Sequence, residues 1–366
     1  MDGKIQSLRS RIDALNLEIL ELLSKRAAIA QQIGELQTEM GLSHYDPVRE
    51  QEMLESLTAA NEGPFNAATV KSLFKQIFQA SMQLEETQEK RRYLTSRAVH
   101  GEDTVVVVGN VPIGGKHSPV LIAGPCAIES AAQVEAVAAH VAAQGVTLFR
   151  GGAFKPRTDP YSFQGLGEEG LRLAREACDR HGLALVSEIM DAGHLPMFEE
   201  YVDLLQIGAR NMQNFTLLKA AGRSRKPVLL KRGLSATVEE WVMAAEYVMN
   251  AGNVQVVLCE RGIRTFERYT RNTLDVSAVA LAKLETHLPV LVDVTHSGGR
   301  RDLLVPLTKA GLAIGADGIM LEVHPNPAVA LSDQKQQIDF DTFDQYLEDT
   351  GYHTKLSEKR LEVYGF

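Results

Sequence analysis

Hydrophobic positions follow two different rhythms along the chain, and the change falls near residue 100. In the first part, apolar residues stand at 5, 8, 12, 15, 19, 22, 29, 33, 36 and 40, in alternating steps of three and four that only Arg26 interrupts. This is a heptad seam along one helix face. A helix of roughly forty residues spans about 60 Å, too long to bury that seam within ninety residues. Pairing with a second chain is expected. Asp46 before Pro47 reads as an N-cap and first helical position, starting a second helix that runs to about Ala60, where Gly63-Pro64 follows. A third helix from Asn66 carries Val70, Leu73, Phe74, Ile77 and Phe78 on one face, continued by Ser81 and Glu85.

From Thr104 onward, short apolar runs alternate with amphipathic stretches. Strands are predicted at 120–127, 147–154, 184–189, 204–210, 227–233, 254–262, 290–297 and 318–326. Each is almost continuously apolar, as strands covered on both faces are. The predicted organisation is a helical domain over 1–93, a linker and short hairpin over 94–119, a strand–helix domain over 120–350 and a tail over 351–366. Eight alternating units fit a closed parallel barrel or an open doubly wound sheet.

The strand ends separate these two. Cys126 and Glu129, Arg150, Lys155 and Arg157, Glu188, Arg210, Lys231 and Arg232, Glu260 and Arg261, His296, and Glu322 and His324 all stand at or just past carboxyl ends. A barrel gathers them at one mouth, whereas an open sheet strands most of them. The predicted fold is therefore α/β, a (β/α)8 TIM barrel preceded by an all-α three-helix domain.

Five cations from different strands (Arg150, Lys155, Arg210, Lys231, Arg261) imply an anionic substrate, because clustered positive charge needs phosphate or carboxylate to offset it. The formal net charge of -9 conceals this cluster and argues against a nucleic-acid partner. With 366 residues, 45% hydrophobic and 23% charged, the composition is that of a globular chain of about two domains. No apolar run is long enough for a membrane span, and the first residues lack a signal peptide's apolar core. Three widely spaced cysteines build no disulfide framework, so a cytoplasmic location is expected.

Cys126, His296, Glu322 and Asp333 are the mouth residues able to bind a metal. Taken singly, a buried cysteine is usually a small hydrophobe, a lone histidine a core residue, and Asp333 a turn or cap. Spacing leaves these readings open beside the metal one. Together, a thiolate, an imidazole and two carboxylates suit manganese, iron, cobalt or zinc better than magnesium or calcium.

Gly124-Pro125-Cys126-Ala127, Arg150-Gly151-Gly152-Ala153-Phe154-Lys155-Pro156-Arg157-Thr158, Gly208-Ala209-Arg210-Asn211, Leu230-Lys231-Arg232-Gly233, Asp293-Val294-Thr295-His296-Ser297 and Leu331-Ser332-Asp333 together resemble the 3-deoxy-D-arabino-heptulosonate-7-phosphate (DAHP) synthase family, over about 104–350. The resemblance implies a barrel that condenses phosphoenolpyruvate with erythrose 4-phosphate and releases phosphate, the first step of the shikimate pathway to aromatic amino acids. It implies a divalent metal, manganese foremost, on Cys126, His296, Glu322 and Asp333. The phosphoenolpyruvate site would comprise Arg150, Lys155, Ala209, Arg210, Lys231 and Arg261. Lys155-Pro156-Arg157-Thr158 would hold erythrose 4-phosphate, a segment that differs in the sister family using arabinose 5-phosphate. Lys155 would be the proton donor or relay, Glu188 would position the attacking water, and His296 would join them as catalytic.

Residues 4–90 are similar to the all-helical chorismate mutase domain that some members carry. Arg9, Arg26 and Arg49 match that family's carboxylate-binding arginines, Glu50 its hydroxyl-binding glutamate and Ser81 a serine near a carboxylate. The family's ether-binding lysine is Gln37 here, and its glutamine is Glu85. Replacing an ammonium by an amide removes a donor worth about 3–4 kcal/mol to developing charge. The expectation is a weak or inactive mutase that senses chorismate or prephenate, within a dimer or tetramer. Two other readings of the barrel stand beside this one: a Schiff-base aldolase using Lys231 or Lys155, and a ligand-binding regulatory protein with an inactive barrel.

Overall fold

In the computed structural model, residues 2–40, 46–90, 93–155 and 159–352 are described. The chain divides into two compact units, Met1–Tyr93 and Leu94–Phe366.

The first unit contains helices α1 (Asp2–Glu39), α2 (Pro47–Ala59) and α3 (Ala67–Lys90). The Asp46 carboxylate accepts hydrogen bonds from the backbone N–H groups of Val48 and Arg49, at 3.1 and 3.0 Å, and so caps α2. Asn66 does the same for Thr69 at the start of α3. The unit's small core holds Leu54, Val70 and Phe78, but Leu73, expected on the inner face of α3, is exposed. A 24-residue helix packed on one side against two others has room for only a narrow buried stripe. The α1 seam lies open to solvent within this chain: Ile5, Leu8, Ile12, Leu15, Ile19, Leu22, Ile29, Ile33, Leu36 and Met40 are each more than half exposed.

The second unit opens with an antiparallel hairpin of β1 (Val105–Val108) and β2 (Val111–Gly114). Eight parallel strands follow: β3 (Val120–Gly124), β4 (Leu148–Arg150), β5 (Ala184–Glu188), β6 (Leu204–Ile207), β7 (Val228–Lys231), β8 (Val256–Glu260), β9 (Val290–Asp293) and β10 (Gly318–Glu322). They close into a barrel in which β10 pairs with β3. Most predicted strands run past these ends. The apolar runs continue, but the backbone leaves the ladder where the mouth loops begin; 120–127, for example, pairs only to Gly124.

Alternation along each strand divides the side chains into two sets. Phe149, Leu185, Leu205, Leu230, Leu258, Val292 and Leu321 point outward beneath the helices. Ile122, Leu148, Val186, Leu204, Leu229, Val257, Cys259, Leu291 and Met320 form an inner apolar cluster. Val106, Val108 and Ile113 of the hairpin complete that cluster, all fully buried, so the hairpin fills the amino-terminal end of the barrel.

Candidate functional site

Two residues beyond the inner apolar cluster, the same inward face turns polar. Leu148 is followed by Arg150, Val186 by Glu188, Leu204 by Gln206, Leu229 by Lys231, Leu291 by Asp293 and Met320 by Glu322. The side-chain period of two thus builds an apolar floor and a charged upper layer from one strand pattern. Above it, loops following β3 and β10 bring in Cys126 and Asp333, and the short helix Val294–Gly298 brings in His296.

The Cys126 thiol, a Glu322 carboxylate oxygen and an Asp333 carboxylate oxygen lie within 4.8 Å of one another. His296 Nε2 stands 3.5 Å from Glu322 Oε1 and 3.5 Å from Asp333 Oδ2. Its other nitrogen, Nδ1, is 2.8 Å from Asp293 Oδ2, and its backbone N–H donates to Asp293 Oδ1, so Asp293 fixes the ring and directs Nε2 toward the carboxylates. Asp293 also takes the Lys231 ammonium. Burial opposes its ionisation, yet His296 and Lys231 hold its carboxyl well below the usual range.

Glu322 is fully buried, which raises its pKa, but His296 and Arg150 outweigh burial and keep it ionised. Burial likewise opposes ionisation of Asp333, and its contact with His296 reverses the effect. Burial and then the nearby Glu322 push the Cys126 thiol up to about 12; it donates to Asp333 Oδ2 at 3.3 Å. Lys155 Nζ donates to the Cys126 carbonyl at 3.0 Å and to its sulfur at 3.2 Å. Burial lowers the Lys155 pKa, but the negative groups around it prevail and raise it, so it remains an ammonium.

Of the five expected anion-binding cations, Arg150 pairs with Glu322 at 3.1 Å and Lys231 with Asp293. The protein's own carboxylates therefore already offset two of them. Arg150 nevertheless keeps Nε and Nη1 buried with no hydrogen-bond partner among the described residues. Arg261 is buried, and desolvation lowers its pKa. Arg210 sits exposed in the turn after β6, next to half-buried Ala209. Arg232, by contrast, belongs to an internal network with Glu260 at 3.0 Å and Asp275 at 2.9 Å. Glu188 lies against Gly208, where any side chain would collide with its carboxylate, and accepts from Gln206 at 3.3 Å. Pro156, Arg157 and Thr158 lie outside the described residues.

The structure adds groups that the sequence reading did not single out. Gln336 Nε2 donates to Glu322 Oε2 at 2.9 Å, and Arg271 Nη1 donates to Gln336 Oε1 at 2.7 Å and to Asp333 Oδ1 at 3.3 Å. The Cys126 N–H donates to Gln337 Oε1 at 2.9 Å, and the Glu322 N–H to Thr295 Oγ1 at 3.0 Å. Strand alternation was a signal for Asp293 and Gln206. The glutamines stand in a turn with no periodicity to mark them.

These residues fit a divalent cation. Glu322 Oε1 is buried with the Arg150 ion pair at 3.1 Å but no aligned hydrogen bond among the described residues, and it faces a thiol, a second carboxylate and an oriented imidazole. This soft-and-hard donor mixture suits a borderline ion.

In the helical unit, Arg26 Nη1 donates to Ser81 Oγ at 2.6 Å and the guanidinium lies 4.9 Å above the Phe78 ring. Arg9 and Arg49 are exposed, while Gln37 and Glu50 are half-buried. The Glu85 side chain lies outside the described residues.

A closed barrel with an apolar floor and a charged mouth defines a TIM-barrel enzyme with its chemistry at the carboxyl ends of the strands. Residues 85–357 match the model of the DAHP synthetase I family, and residues 8–86 that of chorismate mutase type II. A phospho-2-dehydro-3-deoxyheptonate aldolase of Thermotoga maritima is 54% identical over 256 residues, 70% of this chain and 75% of the relative. A 2-dehydro-3-deoxyphosphooctonate aldolase of Syntrophotalea carbinolica is 34% identical over 252 residues, 64% of this chain and 90% of the relative. A crystal structure of a Thermotoga maritima phospho-2-dehydro-3-deoxyheptonate aldolase (DAHP synthase) matches with TM-score 0.69 and 52% identity, covering 72% of this chain and 77% of that one. A truncated form of the DAHP synthase from that organism gives TM-score 0.66 at 49% identity, over 72% of this chain and 96% of that one. The chain belongs to the DAHP synthetase I family. Its barrel is an enzyme unit with DAHP synthase activity, joined to a chorismate mutase type II domain.

Proposed function

We propose that the barrel joins phosphoenolpyruvate to D-erythrose 4-phosphate with the help of a divalent metal ion, manganese foremost, held by Cys126, His296, Glu322 and Asp333. The observation that carries this reading is the cluster of Cys126, Glu322 and Asp333 donor atoms within 4.8 Å, with His296 Nε2 3.5 Å from both carboxylates and a buried arginine beside it whose Nε and Nη1 have no hydrogen-bond partner among the described residues. When bound, the ion supplies Lewis acidity that polarises the aldehyde.

The remaining steps fall to the chain's own groups. Arg150, Lys231, Arg210 and Arg261 bind the carboxylate and phosphate of phosphoenolpyruvate, and 155–158 hold the aldose. Fixing the two reacting carbons together contributes at most about 7–11 kcal/mol. C3 of phosphoenolpyruvate forms the new bond to the aldehyde carbon, and the Lys155 ammonium delivers a proton to the oxygen that becomes the hydroxyl. Water, oriented by Glu188, adds at the electron-poor C2. Loss of inorganic phosphate from that carbon then leaves the keto sugar phosphate.

For the helical unit, we read the exposed α1 seam as the contact with a second copy, and Arg26 and Ser81, with Arg9, Gln37, Arg49, Glu50 and Glu85, as the binding groups for chorismate or prephenate. The effector would restrain the condensation, with little or no mutase turnover. Among the described residues no helix is long and apolar enough to cross a membrane. Three free cysteines support a cytoplasmic setting.

A Schiff-base mechanism needs a neutral amine, and the environment of Lys155 keeps it charged. Phosphate release from the two substrates tests the choice. Loss with a chelator and recovery with manganese support the metal reading, whereas chelator-insensitive turnover with borohydride trapping of a lysine overturns it.

A further inference from the structure

Resting on the metal reading above, we propose that Gln336 is a positioning residue that, with Arg271, ties the carboxylates of Glu322 and Asp333 into one preformed half of the metal centre. Its amide has a donor and an acceptor on opposite sides, and both are engaged. Nε2 holds Glu322 Oε2 at 2.9 Å, and Oε1 receives Arg271 Nη1 at 2.7 Å. The same Nη1 reaches Asp333 Oδ1 at 3.3 Å.

The tether therefore occupies one oxygen of each carboxylate and leaves the other turned inward, Glu322 Oε1 beside Arg150 Nη2 at 3.1 Å and Asp333 Oδ2 beside the Cys126 thiol at 3.3 Å. Those remaining oxygens, Glu322 Oε1 and Asp333 Oδ2, both lie 3.5 Å from His296 Nε2. A carboxylate anchored through one oxygen presents the second at a fixed place, which is how outer groups tune metal sites. Local geometry makes the arrangement rigid. Gln336 N–H donates to the Asp333 carbonyl at 3.1 Å within a single turn, and Arg271 N–H is fixed to the Gly298 carbonyl at 3.0 Å. Asp333 is the one described residue other than glycine at positive φ, 46°. A side chain held in that uncommon conformation is oriented by its neighbours, and Arg271 is one of them. Glutamate at 336 would lack the donor, and methionine would lack both hydrogen bonds at nearly the same volume.

The test is titration of the metal-stripped full chain with cobalt, followed by calorimetry and by the thiolate-to-cobalt absorption band, for the unaltered protein, Gln336→Met, Arg271→Met and the double variant. Second-sphere losses run about 10–100-fold, so Gln336→Met is expected to weaken cobalt affinity by that factor and to shift the visible bands, with an unchanged melting temperature for the stripped protein. The double variant is expected to lose less than the sum of the two single losses, because both changes remove the Gln336–Arg271 bond. Affinity within twofold of the unaltered protein, or losses that simply add, would overturn the proposal. Should Gln336→Met not fold, Arg271→Met decides: its side chain is 40% exposed, and unchanged affinity and spectrum there overturn the proposal equally. An unaltered protein that takes up no cobalt brings down the metal reading itself, a result distinct from normal uptake by every variant.

Discussion

At the scale of single residues, the mouth combines one thiol that burial keeps protonated with three groups already arranged to receive a cation. Burial pushes the Cys126 thiol up to about 12, and a cation bound beside it would favour its thiolate. Serine at 126 keeps the shape without the soft donor. Cys126→Ser is therefore expected to lose at least about 100-fold in manganese-supported phosphate release, measured at saturating substrates. Lys155 lies 3.2 Å from that sulfur and keeps its proton. Lys155→Met is expected to lower kcat by about 10²–10⁴-fold, the range for removing a positioned acid, with a smaller change in the KM for phosphoenolpyruvate. Much of this layer was legible in the sequence, because charged residues stood at the ends of apolar runs. Asp293 was visible there too, as the polar residue two places beyond Leu291, but only its contacts with His296 and Lys231 reveal its part. Gln336, Gln337 and Arg271 were not legible. They reach the site from turns, where a residue's position depends on long-range closure of the barrel rather than on any local pattern.

Whole elements bring a second set of consequences. Along α1, ten apolar side chains of the seam face solvent in the single chain, a stripe that a two-helix contact would cover. Leu15→Glu with Leu22→Glu is expected to halve the mass measured by light scattering, while the far-ultraviolet signature of the barrel stays. The segment that leads into the barrel is held by His287, which is 5% exposed. Its Nε2 meets the Leu94 carbonyl at 2.7 Å, and its Nδ1 meets Thr104 Oγ1 at 2.6 Å. Burial lowers its pKa below the ordinary 6.5, and His100 and Arg97 add to that. The unfolded chain therefore takes up the proton first. The stabilising contribution is complete above about 6.5 and is lost as pH falls below it. Melting temperature is expected to fall as pH drops below about 6.5, and His287→Gln is expected to flatten that part of the curve. The alternation and the α2 cap were legible in sequence, as Asp46 shows. The strand ends were not, because hydrophobicity persists after ladder hydrogen bonding stops.

For the molecule as a whole, the proposed control runs from the helical unit to the barrel. The helical unit keeps Arg26 against Ser81, and Gln37 is half-buried. Prephenate is expected to inhibit phosphate release by the full chain, and deletion of residues 1–93 is expected to abolish that inhibition while the condensation continues. An undiminished response in the shortened protein would assign the effector to the barrel instead. The eight-unit repeat made the architecture legible early, because only closure brings charges spread over 200 residues to one place.

The hairpin that begins the barrel unit has a consequence for traffic. With Val106, Val108 and Ile113 stopping the far end, the barrel is a blind cup, and everything that enters must leave by the same rim. On the proposed chemistry, liberated phosphate would depart past the guanidinium groups assigned to the next enol phosphate. The two anions thus contend for one berth, so added inorganic phosphate is expected to slow initial rates in a way that excess phosphoenolpyruvate relieves.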